Sequence, residues 1–257
     1  MSEPVVLVSI DNRLATVTLN RPEKLNALSA ELRSAFVREM QKLRPNREVG
    51  CVIITGAGRA FCAGLDLREL SSAQLREMGG ANFVSVIEDM EVPVIAAVNG
   101  FAVTGGFELA LACDIMIAAD TAQFADTHAR VGVMPGGGMT ARLPEAVGIR
   151  KARELSFTGN YLTAQEAERL GLVNRVVPKD KLMDTARELA AQILSCDPLM
   201  IRQLKRLYDL NSRSSVGDGL RYEQDFSRAH SLSRDLSDMD TRRQRVMERG
   251  RSQKASH

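Results

Sequence analysis

Two loops of small residues in the first half of the sequence could bind an anionic ligand through backbone N–H groups. The first covers 60–67 (AFCAGLDL) after a short apolar run, and the second covers 99–109 (NGFAVTGGFEL). Gly105 is predicted to begin a helix, where the first N–H groups have no intrahelical partner and the helix dipole adds positive potential. One N–H group from each loop would form an oxyanion hole, although Gly105 could also serve only the close approach of a strand and a helix.

Glu108 lies in the first turn of the same predicted helix, within an otherwise apolar run. A carboxylate in this position either complements the helix dipole or acts as an acid-base group in a dry pocket. The residues alone leave both interpretations open. Asp66, in the first loop, is likewise expected to favour the first turn of a short helix.

Several other kinds of chemistry are excluded because the residues they need are missing or wrongly spaced. Phe61 occupies the position of the third glycine in a dinucleotide-binding GxGxxG motif that would start at Gly56. Neither a P-loop GxxxxGK[ST] nor a GxSxG nucleophile elbow occurs. The four cysteines and three histidines are scattered, so we expect no metal site and reduced thiols.

Charge and hydropathy limit the expected partners of the chain. It has 257 residues, of which 34 are Lys or Arg and 32 are Asp or Glu. Residues 241–257 carry six of the basic side chains and one acidic side chain, which leaves 28 against 31, a net charge of −3, for the remainder. A body of this charge is not expected to bind nucleic acid.

The N-terminus is unlike a signal peptide and no stretch reaches the ~18–20 apolar residues of a membrane helix, so we predict a cytoplasmic protein without a membrane span.

The periodicity of apolar residues predicts an α/β body followed by a helical region. Ser29 is expected to cap a helix whose apolar stripe runs from Leu32 to Leu43. Strands alternate with helices up to about residue 180, and no strand is predicted after that point. The segment 71–80 is polar and is expected to be mobile. The predicted strands cover 5–10, 14–19, 51–55, 94–98, 114–118 and 172–177, and the predicted helices cover 30–44, 82–90, the segment that begins at Gly105, 139–147, 149–157, 163–170, 180–195, 198–210, 216–231 and 238–249.

Four segments of the sequence resemble the signatures of the enoyl-CoA hydratase/isomerase family, also called crotonases. They are RPEKLNALS (21–29), AFCAGLDL (60–67), PVIAAVNGFAVTGGFELALACDI (93–115) and QFADTHARVGVMPGGGMTARLPEAVG (123–148), in the order and spacing of the family. The resemblance implies a crotonase-like spiral of ββα units with a C-terminal helical region. It also implies an acyl-CoA thioester as the substrate, with CoA as part of that substrate and no separate cofactor.

Residues of the two loops take their expected roles from this resemblance. The N–H groups of Leu65 and Gly105 would form the oxyanion hole that polarises the thioester carbonyl and stabilises its enolate. The CoA-binding residues would be the segment Ala63, Gly64, Leu65 and Asp66, with Leu25 and Ala27 closing over the adenine end. Basic side chains of the C-terminal helices would meet the CoA phosphates.

The resemblance also assigns the catalytic acid-base groups, and here the sequence departs from the family. Glu108 matches the first family glutamate, whereas His128 stands where the second glutamate is expected. A carboxylate and an imidazolium still hold one exchangeable proton between them. Asp126 would lie on the same side of an extended segment as His128 and could orient its ring. The alternative is that His128 is a passive residue of the pocket.

Three functions follow, in order of preference. The first is an enoyl-CoA hydratase, a lyase that adds water to a 2-trans-enoyl-CoA in fatty acid metabolism. The second is an enoyl-CoA isomerase or another crotonase reaction that uses His128, and the third is a non-catalytic acyl-CoA-binding protein. We expect residues 1–195 to form the core with the acyl-CoA site, and residues 196–257 to form a helical region that assembles a homotrimer or hexamer.

Overall fold

The computed structural model describes residues 3–66, 69, 83–233 and 239–255 of the chain, and it describes the side chains of these residues except in 231–240 and 252–257. The segment 71–80, which we expected to be mobile, therefore lies outside the described residues. The chain divides into two compact units, Met1–Lys205 and Arg206–His257. The predicted functional division after residue 195 stays a prediction.

The first unit contains a six-stranded sheet that holds most of the core. Its strands are β1 (Val6–Asp11), β2 (Leu14–Leu19), β3 (Cys51–Gly56), β5 (Val94–Val98), β7 (Ile115–Ala119) and β10 (Arg175–Val177), in this order across the sheet. β1 and β2 form an antiparallel hairpin, and the other neighbours are parallel. Asn12 and Arg13 make the hairpin turn with positive φ angles of 48° and 67°, as two-residue hairpin loops require.

A second, four-stranded sheet was not predicted from the sequence. It consists of β4 (Ala60–Cys62), β6 (Phe101–Val103), β8 (Gln123–Ala125) and β9 (Tyr161–Thr163). Each of these strands has three residues, too few for a period-two pattern to show. β4, β6 and β8 follow β3, β5 and β7 after short turns and pair in parallel in the same order. The chain therefore winds as a spiral of repeated units, each with one strand in either sheet, as the resemblance implied.

Helices of the first unit pack around the two sheets. Ser29 caps the first of them, since its Oγ accepts the Leu32 N–H at 3.2 Å, as the sequence predicted. The helices are α1 (Ala30–Leu43), α2 (Ser85–Glu88), α3 (Gly105–Leu111), α4 (His128–Val131), α5 (Met139–Val147), α6 (Ile149–Thr158), α7 (Ala164–Arg169) and α8 (Leu182–Leu194), with 3₁₀ turns at Pro22–Lys24 and Lys179–Lys181. α8 lies against β3, β5 and β7. The rings of Phe107 and Phe124, 5.4 Å apart, pack α3 against β8.

Three predicted elements differ from the structure. The helix expected over 82–90 is only α2, one turn long, within its described part. The strand expected over 172–177 begins at Arg175, because Leu172 and Val173 are buried in the turn that follows α7. The segment around His128, expected to be extended, is the short helix α4.

The C-terminal part is helical, as predicted. α9 (Pro198–Asn211) runs from the first unit into the second, which also contains α10 (Val216–Ser233) and α11 (Met239–Ala255). Within the second unit the Arg206 guanidinium lies 5.3 Å from the centre of the Phe226 ring. Throughout the described residues, every helix is too short or too polar to cross a bilayer.

Candidate active site

The loop after β4 runs beside the segment 25–28 and is joined to it by backbone hydrogen bonds. The Leu28 N–H donates to the Gly64 carbonyl at 2.8 Å, and the Ala63 N–H donates to the Leu25 carbonyl at 3.0 Å. The Asp66 N–H reaches the Leu28 carbonyl at 3.4 Å. The N–H of Leu65, between these contacts, makes no hydrogen bond within the described part of the chain.

The loop before α3 presents a second such donor. Gly105 is the first residue of α3, and among the described residues nothing accepts its N–H. Gly64 has a φ of +89°, and a Cβ placed on it would lie 2.8 Å from the Val103 carbonyl oxygen and 3.6 Å from the Gly105 nitrogen. Only glycine fits so close an approach with a positive φ, and this approach brings the residue before Leu65 close to the N–H of Gly105.

Leu28 and Phe83 give this place an apolar wall. A Cβ placed on Gly105 would lie 2.9 Å from Leu28 Cδ1 and 3.5 Å from Phe83 Cζ. Both side chains are buried. The surroundings of Gly105 are therefore apolar on this side, and in such surroundings a backbone donor interacts strongly with an anionic oxygen.

Thr104 ties the start of α3 to the segment that follows β8. It has a φ of 52° and a ψ of −113°, a strained conformation for a β-branched residue. Its N–H donates to the Ala125 carbonyl at 2.8 Å, and its hydroxyl oxygen accepts the Thr127 N–H at 3.3 Å. The hydroxyl groups of Thr104 and Thr127 are also hydrogen-bonded to each other.

The carboxylate of Glu108 reaches out of α3 to the start of α5. Glu108 is 3% exposed, and its Oε1 accepts the N–H groups of Gly137 at 2.8 Å and Met139 at 3.3 Å. A Cβ on Gly137 would lie 2.7 Å from Oε2, so only glycine leaves room for the carboxylate. Arg142 fixes this loop by donating to the Gly137 carbonyl at 2.7 Å. Glu108 is thus held in a buried position by another helix, which goes beyond the role of a dipole partner in its own.

The second oxygen of Glu108 faces a histidine. Oε2 lies 4.0 Å from Nε2 of His128, and the other ring nitrogen, Nδ1, lies 2.6 Å from Oδ1 of Asp126. All three side chains are buried. The structure therefore brings the three predicted acid-base and orienting residues together.

The Asp126–His128 contact forms in a way that the sequence did not predict. β8 ends at Ala125 and His128 starts α4, so the two residues do not share an extended segment. They meet because Asp126 Oδ1 makes two hydrogen bonds with His128. One is with the ring Nδ1, and the other is accepted from the backbone N–H at 3.2 Å.

Asp126 also fixes the tautomer of the ring. Burial would raise the pKa of Asp126, but hydrogen bonds from the His128 ring, the Ser156 hydroxyl and the His128 backbone outweigh it and lower this pKa below its ordinary value. The carboxylate is therefore ionised at neutral pH, and Nδ1 must carry the proton between them. Nε2 is the ring nitrogen that faces Glu108.

The residues expected to bind CoA are joined by contacts that the sequence analysis did not find. The Arg21 guanidinium donates to the Ala27 carbonyl at 2.7 Å and pairs with Asp66 Oδ2 at 3.3 Å. Asn26 is fully buried, and its amide donates to the Ala60 carbonyl at 2.8 Å. Leu25, with a φ of 53°, begins this left-handed turn. The sequence contained one indication of these contacts, namely Arg21 and Asn26 on either side of the turn residue Pro22. Polar side chains in turns commonly bond to backbone groups and so fix the turn.

Two of the cysteines are buried in the core of the first unit. Burial raises the pKa of Cys51 and of Cys62 to about 12, so both are neutral thiols in the core. No group of three His, Cys, Asp or Glu side chains suited to a metal ion occurs in the described ranges.

Comparisons with known proteins give the same picture over nearly the whole chain. The sequence model of the enoyl-CoA hydratase/isomerase family matches residues 9–245. A probable enoyl-CoA hydratase of Mycobacterium tuberculosis is 39% identical over 227 residues, which cover 87% of this chain and 88% of that protein. A short-chain-enoyl-CoA hydratase of Clostridium acetobutylicum is 38% identical over 226 residues, which cover 86% of this chain and 87% of that protein.

Solved structures agree with these sequence relatives. The enoyl-CoA hydratase of Bacillus anthracis superposes with a TM-score of 0.87 at 32% identity, over 95% of this chain and 96% of that chain. The enoyl-CoA hydratase of Mycobacterium smegmatis superposes with a TM-score of 0.74 at 45% identity, over 88% of this chain and 100% of that chain. The spiral of ββα units is thus the crotonase fold, and the chain belongs to the enoyl-CoA hydratase/isomerase family.

Proposed function

We propose that the protein is an enoyl-CoA hydratase that adds water to the double bond of a 2-trans-enoyl-CoA in fatty acid metabolism. The observation that carries this proposal is the buried pair of Glu108 and His128, whose Oε2 and Nε2 atoms lie 4.0 Å apart. Groups at this separation do not hydrogen-bond directly, but both can bond to one water molecule. The hydratases among its relatives support the same activity.

The N–H groups of Leu65 and Gly105 are proposed to bind the thioester oxygen. When water attacks C3, the electron pair of the double bond moves towards the carbonyl, which becomes an enolate oxygen. Two preorganised donors stabilise this charge, and the loss of one such donor typically costs about 10²–10³ in rate. The lack of any partner for either N–H among the described residues supports this role.

The CoA portion is proposed to lie along the backbone of the loop after β4. In this proposal Ala63, Gly64, Leu65 and Asp66 supply backbone contacts, and Leu25 and Ala27 close over the adenine. The Arg21–Asp66 pair supports the proposal, because it holds the two segments together without a ligand. Preorganisation of this kind lowers the entropic cost of binding.

Glu108 and His128 are proposed to share the proton that hydration exchanges. The pair takes a proton from the water molecule whose oxygen bonds to C3, and it delivers a proton to C2. A carboxylate and an imidazolium together supply one acceptor and one donor, which is what the addition requires. Asp126 acts as the orienting residue, since its contact with Nδ1 directs Nε2 towards Glu108.

Double-bond isomerisation is the second candidate, and the anchoring of Glu108 favours it. Oε1 is fixed by two backbone N–H groups, which leaves Oε2 as one free oxygen. A single proton carrier can move a proton between C4 and C2 of the enolate without adding water. His128 would then only complete the pocket.

The wider setting of the enzyme is also part of the proposal. We infer that it needs no cofactor besides the CoA of its substrate and that it works in the cytoplasm. Its C-terminal helices, from residue 196 onward, are proposed to assemble a homotrimer or hexamer around cores formed by residues 1–195.

The test is the reaction of the purified protein with crotonyl-CoA and with a 3-enoyl-CoA. A hydratase removes the absorbance of the conjugated thioester of crotonyl-CoA and forms 3-hydroxybutyryl-CoA. An isomerase instead creates that absorbance from the 3-enoyl-CoA. Calorimetric binding of acyl-CoA without either reaction would overturn both proposals and leave an acyl-CoA-binding protein.

A further inference from the structure

Arg33 is a buried cation that the proposed reaction does not use. It lies on α1 and is 7% exposed, yet its Nε and Nη2 atoms have no hydrogen-bond acceptor. A guanidinium remains charged in proteins and carries five N–H donors in a planar fork. The described residues therefore leave a full positive charge in the interior with part of its donors unused.

Arg33 lies on the helix whose N-terminal end borders the proposed reaction site. It is four residues after the cap Ser29, about 6 Å along the helix axis. Leu28 directly precedes the cap, and its Cδ1 atom would be 2.9 Å from a Cβ on Gly105. Helical side chains lean towards the preceding turn, so the side chain of Arg33 is directed towards this end of α1. An acyl group whose carbonyl is bound at Gly105 would start near the same end of the helix.

The nearby Glu69 contacts the start of α1. Its Oε2 accepts the N–H of Ala30 at 2.7 Å. In the described part of the structure no ion pair includes Arg33. Among the described residues the buried guanidinium therefore has no counter-ion.

An unpaired buried charge is costly, and a ligand can remove this cost. Leaving a buried charge without a partner destabilises a protein, whereas a planar guanidinium matches a carboxylate in a two-bond contact. CoA phosphates are a poor match, because the adenine end is proposed to lie at Leu25 and Ala27, whereas Arg33 is buried. In the proposed binding mode, the acyl group is the part of the substrate that enters the interior.

We propose that Arg33 recognises the far end of the acyl group, and that the preferred substrate is a 2-enoyl-CoA whose acyl chain ends in a carboxylate. This inference rests on the proposed function, whose site it extends. It sets Arg33 apart from Glu108 and His128: the pair acts on C2 and C3, whereas Arg33 selects which acyl groups are held there.

The experiment compares matched substrates in the wild type and in Arg33→Met. The substrates are 2-hexenoyl-CoA and the mono-CoA thioester of 2-hexenedioic acid, which differ only in the terminal carboxylate. We expect the wild type to favour the carboxylate-ended substrate in kcat/KM, and Arg33→Met to lower this ratio by about 10²-fold. Arg33→Lys should keep part of the preference, and Arg38→Met, an exposed change on the same helix, should keep all of it.

Three outcomes decide against the inference. A wild type without the preference, or an Arg33→Met variant with the same ratio, overturns it. If Arg33→Met weakens the binding of free CoA as much as that of both thioesters, the cation binds a phosphate and the inference is wrong. If neither thioester is hydrated by any variant, the proposed function fails, and calorimetry with the same two thioesters then tests Arg33 alone.

Thermal unfolding separates recognition from a structural role. Arg33→Met removes an unpaired buried charge, so its melting temperature should equal or exceed that of the wild type. A lower melting temperature with an unchanged substrate ratio would show that Arg33 only supports the fold. If Arg33→Met does not fold, the substrate preference of the wild type and of Arg33→Lys still decides the question.

Discussion

Glu108 divides its carboxylate between an anchored oxygen and a free one. Oε1 is held by the N–H groups of Gly137 and Met139, and Oε2 faces His128. The anchoring groups are backbone donors, which the carbonyl oxygen of a glutamine can also satisfy. A change from Glu to Gln at this position therefore keeps the contacts and removes only the ability to accept a proton.

We predict that Glu108→Gln lowers kcat for hydration by about 10²–10⁴-fold, because it removes proton exchange in the transition state. Acyl-CoA binding should persist, since the proposed CoA contacts lie on other loops. Steady-state kinetics and calorimetry measure the two effects. Glu154→Gln, an exposed change on α6, should behave as the wild type. Loss of binding together with activity would show that Glu108 has a structural role instead.

Asp126 is predicted to make stability depend on pH. Its pKa is lowered in the folded state, so its ionised form contributes stability at pH values above the unfolded pKa of about 4, and this contribution is lost as pH falls through the lower folded pKa. Asp126→Asn should lower the free energy of unfolding by about 2 kcal/mol at pH 7, and by less in acid. Denaturant unfolding at pH 7 and pH 3 measures this difference.

The control for this measurement is Asp184→Asn, which removes an exposed ion pair with Arg187. Such pairs contribute little, so we expect a change below about 1 kcal/mol. An equal loss in Asp126→Asn at both pH values would mean that the buried carboxylate is not held ionised by its hydrogen bonds.

At the scale of elements, the start of α3 is joined to the end of β8 through Thr104 and Thr127. The hydroxyl contacts connect the helix of Gly105 and Glu108 to the segment of Asp126 and His128. We predict that Thr104→Val, which keeps the branched shape, lowers kcat about tenfold and stability by about 1–2 kcal/mol, because the Thr127 N–H loses its acceptor. Acyl-CoA binding should change little.

Thr104→Ser is the matched control, because it keeps the hydroxyl group. It should retain the kcat of the wild type. A Thr104→Val variant with reduced stability but unchanged kcat would show that the contact supports the fold without positioning the site.

The sequence predicted the long elements and missed the short ones for a physical reason. α1 and β5 carry an apolar pattern or run that a helical or strand period can reveal. β4, β6 and β8 have only three residues each and are stabilised by their neighbours in the sheet. Their existence follows from pairing over a long distance in sequence, which a local pattern does not contain.

The candidate site shows the same division between local and distant information. The positions of Gly105 and Glu108 at the start of a helix follow from the local sequence. The contact of Glu108 with Gly137 depends on a loop 29 residues away, and the link between Arg21 and Asp66 spans 45 residues. The Asp126–His128 contact was expected on an extended segment. In the structure His128 begins a helix, and the contact depends on a hydrogen bond from the His128 backbone N–H to Asp126, which the local sequence pattern does not predict.

At the scale of the whole molecule, the helices after residue 205 carry exposed apolar side chains. Exposed apolar residues of the second unit are Tyr208, Val216, Leu220, Tyr222, Val246 and Met247. Exposed apolar groups of this kind favour association. We predict that the full chain sediments as a trimer or hexamer and that a chain ending at Ser195 is insoluble or unfolded. A stable monomer in sedimentation equilibrium would contradict this prediction.

The central claim is that the Glu108–His128 pair performs hydration, and kcat/KM for crotonyl-CoA in the wild type and in His128→Ala tests it most directly. We predict that His128→Ala is slower by about 10²–10⁴-fold, because it removes one of the two groups that exchange a proton with the substrate. His230→Ala, in the second unit, should keep the rate of the wild type. A His128→Ala variant with the rate of the wild type would contradict the account and make His128 a passive residue of the pocket.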